Sequence, residues 1–133
     1  MNFRHPAVSL FGRLLITYIF ATSGLAKILD WSGNMQYMST RHLPMTAALL
    51  AVAMLIEIAG SFCLFAGFYA RIAAVIMSVY LLAVTLLFHN YWAFSGNLAG
   101  TQETHFRKNL AIIGGLLMIA AQGPGQWVIH PKE

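Results

Sequence analysis

Four long apolar stretches alternate with polar connections along the chain. They cover residues 8–29, 46–68, 71–92 and 105–122, the last being the shortest. A helix needs about 20 mainly apolar residues to cross the ~30 Å hydrocarbon layer. Backbone polar groups in lipid must be bonded within one helix or around a closed barrel, and the short alternating runs of barrel strands are missing here. The pattern therefore predicts an all-α fold, an integral-membrane antiparallel four-helix bundle forming one membrane domain over 1–133. Only Tyr69-Ala70 separate the second and third stretches, which makes these two helices antiparallel neighbours.

The polar positions inside the stretches are not scattered. Arg13, Thr17, Phe20, Gly24 and Lys27 recur at steps of three or four, so they share one face of the first helix. Ala53, Glu57, Gly60 and Ser61 form a small-residue strip around a carboxylate on the second, and small residues let helices approach closely. Arg71, Ser78, Thr85, His89 and Trp92 share a face of the third. His105, Asn109, Ile112 and Leu116 share one of the fourth. Turned inward, these faces give the bundle a polar interior.

Composition agrees with a membrane chain. Apolar residues make up 59% and charged residues 9%, against roughly 45–50% and ~25% in soluble domains. Eight basic and four acidic side chains are too few to cover a soluble surface. The net charge of +4 comes from dispersed residues near helix ends, with only Arg107-Lys108 adjacent, which argues for membrane anchoring and against nucleic acid. Arg4 followed by an apolar run and Ala21-Thr22-Ser23 imitates a signal peptide. Arg13 interrupts that run and three more stretches follow, so the segment reads as a span. The one cysteine, Cys63, lies inside the second helix and reads as packing, with no disulfide or Cys-based metal site within the chain.

Arg4, Arg13, Arg71 and Lys132 fall on the side of the termini, and Lys27, Arg41, Arg107 and Lys108 on the side of the long loops. The amino terminus tips this balance toward termini in the cytoplasm. The long connections share WSGNM at 31–35 and FSGNL at 94–98, an offset of 63 residues that also carries the start of the first helix onto the third. Either a two-helix hairpin is duplicated, or Ser-Gly-Asn makes a turn at both places.

A charge in mid-span costs about 2.5–3.5 kcal/mol on insertion scales and needs a partner. Glu57 lies at the centre of its span. Arg13 lies some five residues into the first helix, about 7.5 Å from its start. The expected buried ion pair is Glu57 with Arg13, with Arg71 as the second candidate. It either locks helix order or carries function. A second group, Lys27, His89, His105 and Asn109, gathers near the long loops as a candidate ligand-binding site, where Asp30, His42 and Glu103 can join it. Trp31, Tyr37, Tyr91 and Trp92 add aromatic surface there, mostly as an interfacial belt. The histidines lack metal-ligand spacing, so no metal is expected. His89 and His105 are the one pair on different helices that fits two haem ligands.

SGLAKILDWSG (23–33), the Glu57 helix followed by GFYARIAA (67–74), and RKNLAIIGGLLMIAAQGPG (107–125) resemble the DoxX family of small four-helix membrane proteins. The likeness runs through nearly the whole chain. It matches the family's early Arg with Arg13, its Gly and Lys at the first helix end with Gly24 and Lys27, its second-helix Glu with Glu57 and its third-helix Arg with Arg71. The Lys-Asn before the last helix is Lys108-Asn109, and the closing turn is Gly123-Pro124-Gly125. After that turn this chain reads QWVIHPKE and lacks the family's usual Asp. The family name comes from a membrane subunit of a thiosulfate:quinone oxidoreductase. The resemblance implies a multi-pass bacterial inner-membrane protein tied to redox or quinone chemistry, as a subunit or accessory and not as a lone catalyst.

Three functions stay open at this level. The first is a membrane subunit that handles a quinone for an oxidoreductase partner protein, with Lys27, His89, His105 and Asn109 bonding the headgroup and Glu57 passing protons. Nothing in the chain carries electrons by itself. The second is a small-molecule or proton-relay transport protein, which four helices suit best as a homo-oligomer. The third is a non-catalytic scaffold in the bilayer whose polar residues serve helix packing.

Overall fold

The computed structural model describes residues 5–129; Arg4 and Lys132, counted above for orientation, lie outside them. The described residues form α1 (Pro6–Leu29), α2 (Trp31–Ser39), α3 (Thr46–Ala66), α4 (Ala70–Phe88), a 3₁₀ turn (Tyr91–Ala93) and α5 (Gly96–Gln122), with no strand among them. The fold is all-helical, as the apolar pattern predicts. α1, α3 and α4 are each long and apolar enough to cross a membrane. α5 falls short of that, because Arg107, Lys108 and Asn109 precede an apolar run of only about 12 residues, or ~18 Å of helix.

Two elements differ from expectation, both in the long connections. Residues 31–39 form α2, because Asp30 caps it: its carboxylate accepts from the Gly33 N–H at 3.0 Å, and its carbonyl accepts from Asn34 Nδ2 at 2.7 Å. α5 starts nine residues before the expected 105. Both Ser-Gly-Asn stretches thus open helices. In the first half the chain breaks between α2 and α3; in the second, the helix runs on into the apolar stretch.

α3 ends at Gly67, which has φ +72° and takes the left-handed conformation that glycine adopts without strain. With Tyr69, also left-handed, it folds α4 back against α3. α1 packs on α3, α3 on α4 and α4 on α5, while α1 and α5 touch only weakly. The shared core of this end is Phe20, Leu64, Ala70, Ala74, Met77, Leu81 and Leu116. At the loop end Met38, Leu50 and Phe88 form a second cluster. Arg41 braces it, donating to the Phe88 carbonyl at 2.9 Å between the Phe88 and Phe94 rings.

Most of the inward stripes read from the sequence are buried: Arg13, Thr17, Phe20 and Gly24 on α1, Ala53, Glu57, Gly60 and Ser61 on α3, Ser78 and Thr85 on α4, Asn109 and Leu116 on α5. Lys27, Arg71, His89, His105 and Ile112 are half-buried, and the expectation for Trp92 is corrected: it lies in the 3₁₀ turn beyond the end of α4 and is exposed. Two arginines close the end that carries the termini. Arg13 Nη1 donates to the carbonyls of Leu64 and Phe65, both at 3.1 Å, and its Nη2 donates to the Trp127 carbonyl. Arg71 Nη1 donates to the carbonyls of Ala120 and Ala121 at 3.1 and 2.8 Å. Each arginine meets the last turn of a neighbouring helix, where unpaired carbonyls and the negative dipole end favour a cation. The tail after α5 crosses the α3–α4 turn, and Ile129 N–H donates to the Ala66 carbonyl at 2.8 Å.

Arg13→Leu should leave buried acceptors on α3 and the tail unsatisfied, at about 1–3 kcal/mol for each one that finds no water. The expected outcome is a clear fall in thermal stability in detergent, with the 123–129 segment becoming open to protease. Arg71→Leu should cost less, since its contact with Ala121 is exposed. Equal stability of the two variants would show that the Arg13 bonds do not hold the tail.

Candidate functional site

Glu57 is 4% exposed and sits at the meeting point of three helices. Its Oε1 accepts from Ser23 Oγ at 3.1 Å and from Tyr80 Oη at 2.6 Å, and its Oε2 accepts from Lys27 Nζ at 2.8 Å. Lys27 also donates to Ser23 Oγ at 2.9 Å. Ser23 and Lys27 come one turn apart from α1, Tyr80 from α4. Three donors converge on one carboxylate in an apolar bundle, and each bond offsets part of the cost of burying it.

The expected pairing of Glu57 with Arg13 or Arg71 is therefore corrected. The cation at Glu57 is Lys27, and both arginines bond backbone carbonyls at the far end. Register is the reason. A Cβ on Gly24 would lie 3.2 Å from Glu57 Cβ and 2.7 Å from Ile58 Cδ1, so the absence of a side chain there brings α1 onto α3 at this level. Arg13 then falls opposite Leu64, seven residues further along α3, or about 10 Å away. Depth counted along each helix separately gave no information on this register.

The carboxylate opens onto a cavity of about 470 Å³, within the 300–1,000 Å³ of small-molecule sites. Ser23, Lys27, Tyr80, His89, Lys108 and Asn109 line it together with apolar residues of every α-helix. Three of the four residues expected to bind a ligand, Lys27, His89 and Asn109, thus share one cavity, and Glu57 joins them. Members of the two polar clusters read separately from the sequence thus line one cavity, while Arg13 and Arg71 stand apart from it. Asn109 Nδ2 donates to Thr85 Oγ1 at 3.0 Å. His89 Nδ1 contacts Gln102 Oε1 at 2.7 Å. His105 does not line the cavity; its ring lies against His89 with centroids 5.1 Å apart, and its Nδ1 is 3.4 Å from Lys108 Nζ.

Other expected members sit elsewhere. Asp30 caps α2, His42 is exposed in the α2–α3 connection, and Glu103 pairs with Arg107 on the surface of α5 at 2.6 Å. No group of three or more His, Cys, Asp or Glu side chains able to hold a metal occurs among the described residues. Tyr80 and Ser23 were missed in the sequence. Ser23 could have been found, since it lies four residues before Lys27 on one helix face. Tyr80 had no such signal: it lies off the polar stripe of α4 and reaches Glu57 only through the α3–α4 packing.

Residues 8–90, which hold Ser23, Lys27, Glu57 and Tyr80, match the family model described as DoxX. The chain belongs to the DoxX family. It is similar to inner membrane protein YphA of Escherichia coli (strain K12), 34% identical over 122 residues, covering 90% of this chain and 86% of that protein. It is also similar to inner membrane protein YqjF of the same organism, 33% identical over 120 residues, covering 90% and 87%. No solved structure matches it. With these relatives and its apolar helices, this DoxX-family chain is a membrane protein.

In this DoxX site, Lys27→Met should destabilise the fold by about 3–5 kcal/mol, because it strands a buried carboxylate. Lys27→Met combined with Glu57→Gln should be milder than the sum of the single changes, as coupled residues are. Thermal unfolding of the four proteins in one detergent measures the coupling, and additive losses would show that the pair does not interact.

Proposed function

We propose that this DoxX-family protein works in the bacterial inner membrane, termini in the cytoplasm, as the quinone-binding subunit or accessory of an oxidoreductase system. One observation carries the reading: the hydrogen-bond inventory of the cavity wall. Lys27 has three N–H groups and commits two, to Ser23 and Glu57. Asn109 has two amide N–H groups and commits one, to Thr85. One donor on each is left for a ligand, and both residues line the same cavity. A carbonyl-bearing, otherwise apolar headgroup fits that wall, because it needs donors at its oxygens and apolar contact elsewhere.

A quinone held there would supply two-electron redox chemistry that no side chain of the protein offers. The residues of this chain bind and orient it. Lys27 and Asn109 would donate to carbonyl oxygen, apolar lining residues would pack on the rest of the ligand, and Glu57, already satisfied by three donors, holds Lys27 in place. The "inner membrane" names of the two Escherichia coli relatives support the location. The electron donor is then a partner protein. Transport by a homo-oligomer has no specific observation in its favour.

Mass spectrometry of the protein extracted in mild detergent should find bound quinone and a co-purifying redox protein. Asn109→Leu should weaken binding of a short-tailed benzoquinone roughly tenfold, the worth of one hydrogen bond at about 1.4 kcal/mol. Wild-type protein that holds only phospholipid and takes up no added quinone would overturn the reading.

A further inference from the structure

Residues that line the cavity and are also exposed mark two flanks of the bundle, besides Tyr37 of α2 at the loop end, and the two flanks differ in chemistry. Ile19 of α1 and Lys108 of α5 both line it and are both exposed. α1 and α5 adjoin where Ile16 meets Gly115 and touch little elsewhere. Lys108 is exposed there, with the half-buried Ser23 and Lys27 and the buried Asn109 lining the cavity behind it, so this mouth is polar and cationic. On the opposite flank Leu49 and Val52 of α3 and Ala83 and Leu87 of α4 line the cavity and are also exposed. These four rim residues are all apolar.

Packing explains the second mouth. α3 and α4 are held together near their turn, where Gly60 takes Met77 and Tyr80 reaches Glu57. They are held again at the loop end by the Leu50–Phe88–Met38 cluster. Between these two contacts the wall is formed by Val52, Ala83 and Leu87, one of them only an alanine, and Leu49 borders it at the loop end. All four belong to helices apolar and long enough to span a bilayer, so the window faces acyl chains and not water.

We propose that the α3–α4 window is a lateral portal through which one hydrocarbon chain of a membrane-dissolved ligand lies, while its headgroup occupies the Lys27–Glu57–Asn109 wall. The ligand class is then a single-headed amphiphile with a long isoprenoid or acyl tail, exchanged with the bilayer and never released to water. An apolar rim on an apolar surface gives no hold to a soluble ligand, and a tail left in lipid loses no burial on binding. The inference rests on ligand binding in this cavity, as in the proposed function, but not on the headgroup being a quinone.

Two probes separate those claims in vesicles of phosphatidylcholine: a long-tailed benzoquinone with a diazirine in its tail, and a phosphatidylcholine with a diazirine in one acyl chain. After illumination, residue-level mass spectrometry should find adducts on the buried lining residues Ala53 and Leu81. Ala83→Trp, and independently Val52→Trp on the facing rim, should abolish these inner adducts. Val79→Trp, on an outward face away from the rim, should leave them unchanged.

Inner adducts from the quinone, alone or with the phospholipid, support the portal and the quinone together. Inner adducts from the phospholipid alone support the portal and overturn the quinone headgroup. Adducts confined to outward residues such as Leu55 and Val79 overturn the portal. So do inner adducts that survive both rim tryptophans, because the chain then passes elsewhere.

Discussion

An ionised group in an apolar interior must find its partners within the chain, because lipid supplies none. That constraint organises the bundle. Glu57 gathers one donor from α4 and two from α1, so the carboxylate ties three helices at one level. Arg13 and Arg71 meet the carbonyl ends of α3 and α5 at another level. Sliding α1 along α3 by one turn would strand Glu57 and empty the cap at Leu64 and Phe65 together. The apolar contacts alone would tolerate such a slide far better, since one leucine packs much like another.

The same arrangement creates the cavity. Gly24 lets α1 close on α3 at that level, and the polar side chains that converge on the carboxylate line the space left between these helices and α4 and α5. Asn109 is held by Thr85 on the far wall, so the polar lining comes from α1, α3, α4 and α5 together. Apolar clusters seal the two ends: Met77 and Leu116 below, Met38, Leu50 and Phe88 above. The result is an amphipathic chamber inside a membrane protein, with donors on one wall and hydrocarbon on the other. Membership of the DoxX family covers most of this chamber, since the matched residues 8–90 include the whole Glu57 cluster.

How much of this was legible depends on the range of the interaction. Each span is a local property, because about 20 apolar residues are needed wherever the helix ends up. The inward faces are local too: Arg13 to Gly24 and Ala53 to Ser61 follow helical period, and a polar side chain in lipid turns inward whatever its partner. α2 was hidden because one capping carboxylate, Asp30, outweighs nine residues of weak helical pattern. The length of α5 was hidden because its polar first half has no membrane signal.

What the amino-acid sequence determined by itself is the class of fold, the buried charged residues and the tight α3–α4 hairpin. Which charges meet was decided only by the tertiary structure. Arg13 and Lys27 lie on the same face of α1, fourteen residues and about 21 Å of helix apart, and either suits a carboxylate by charge. The choice falls on Lys27 because close approach at Gly24 sets the register of α1 on α3. The place of Tyr80 and the meeting of Glu57 with Lys27, His89 and Asn109 around one chamber follow from that same packing, through contacts 23 and more residues apart in the chain, beyond the reach of any local pattern.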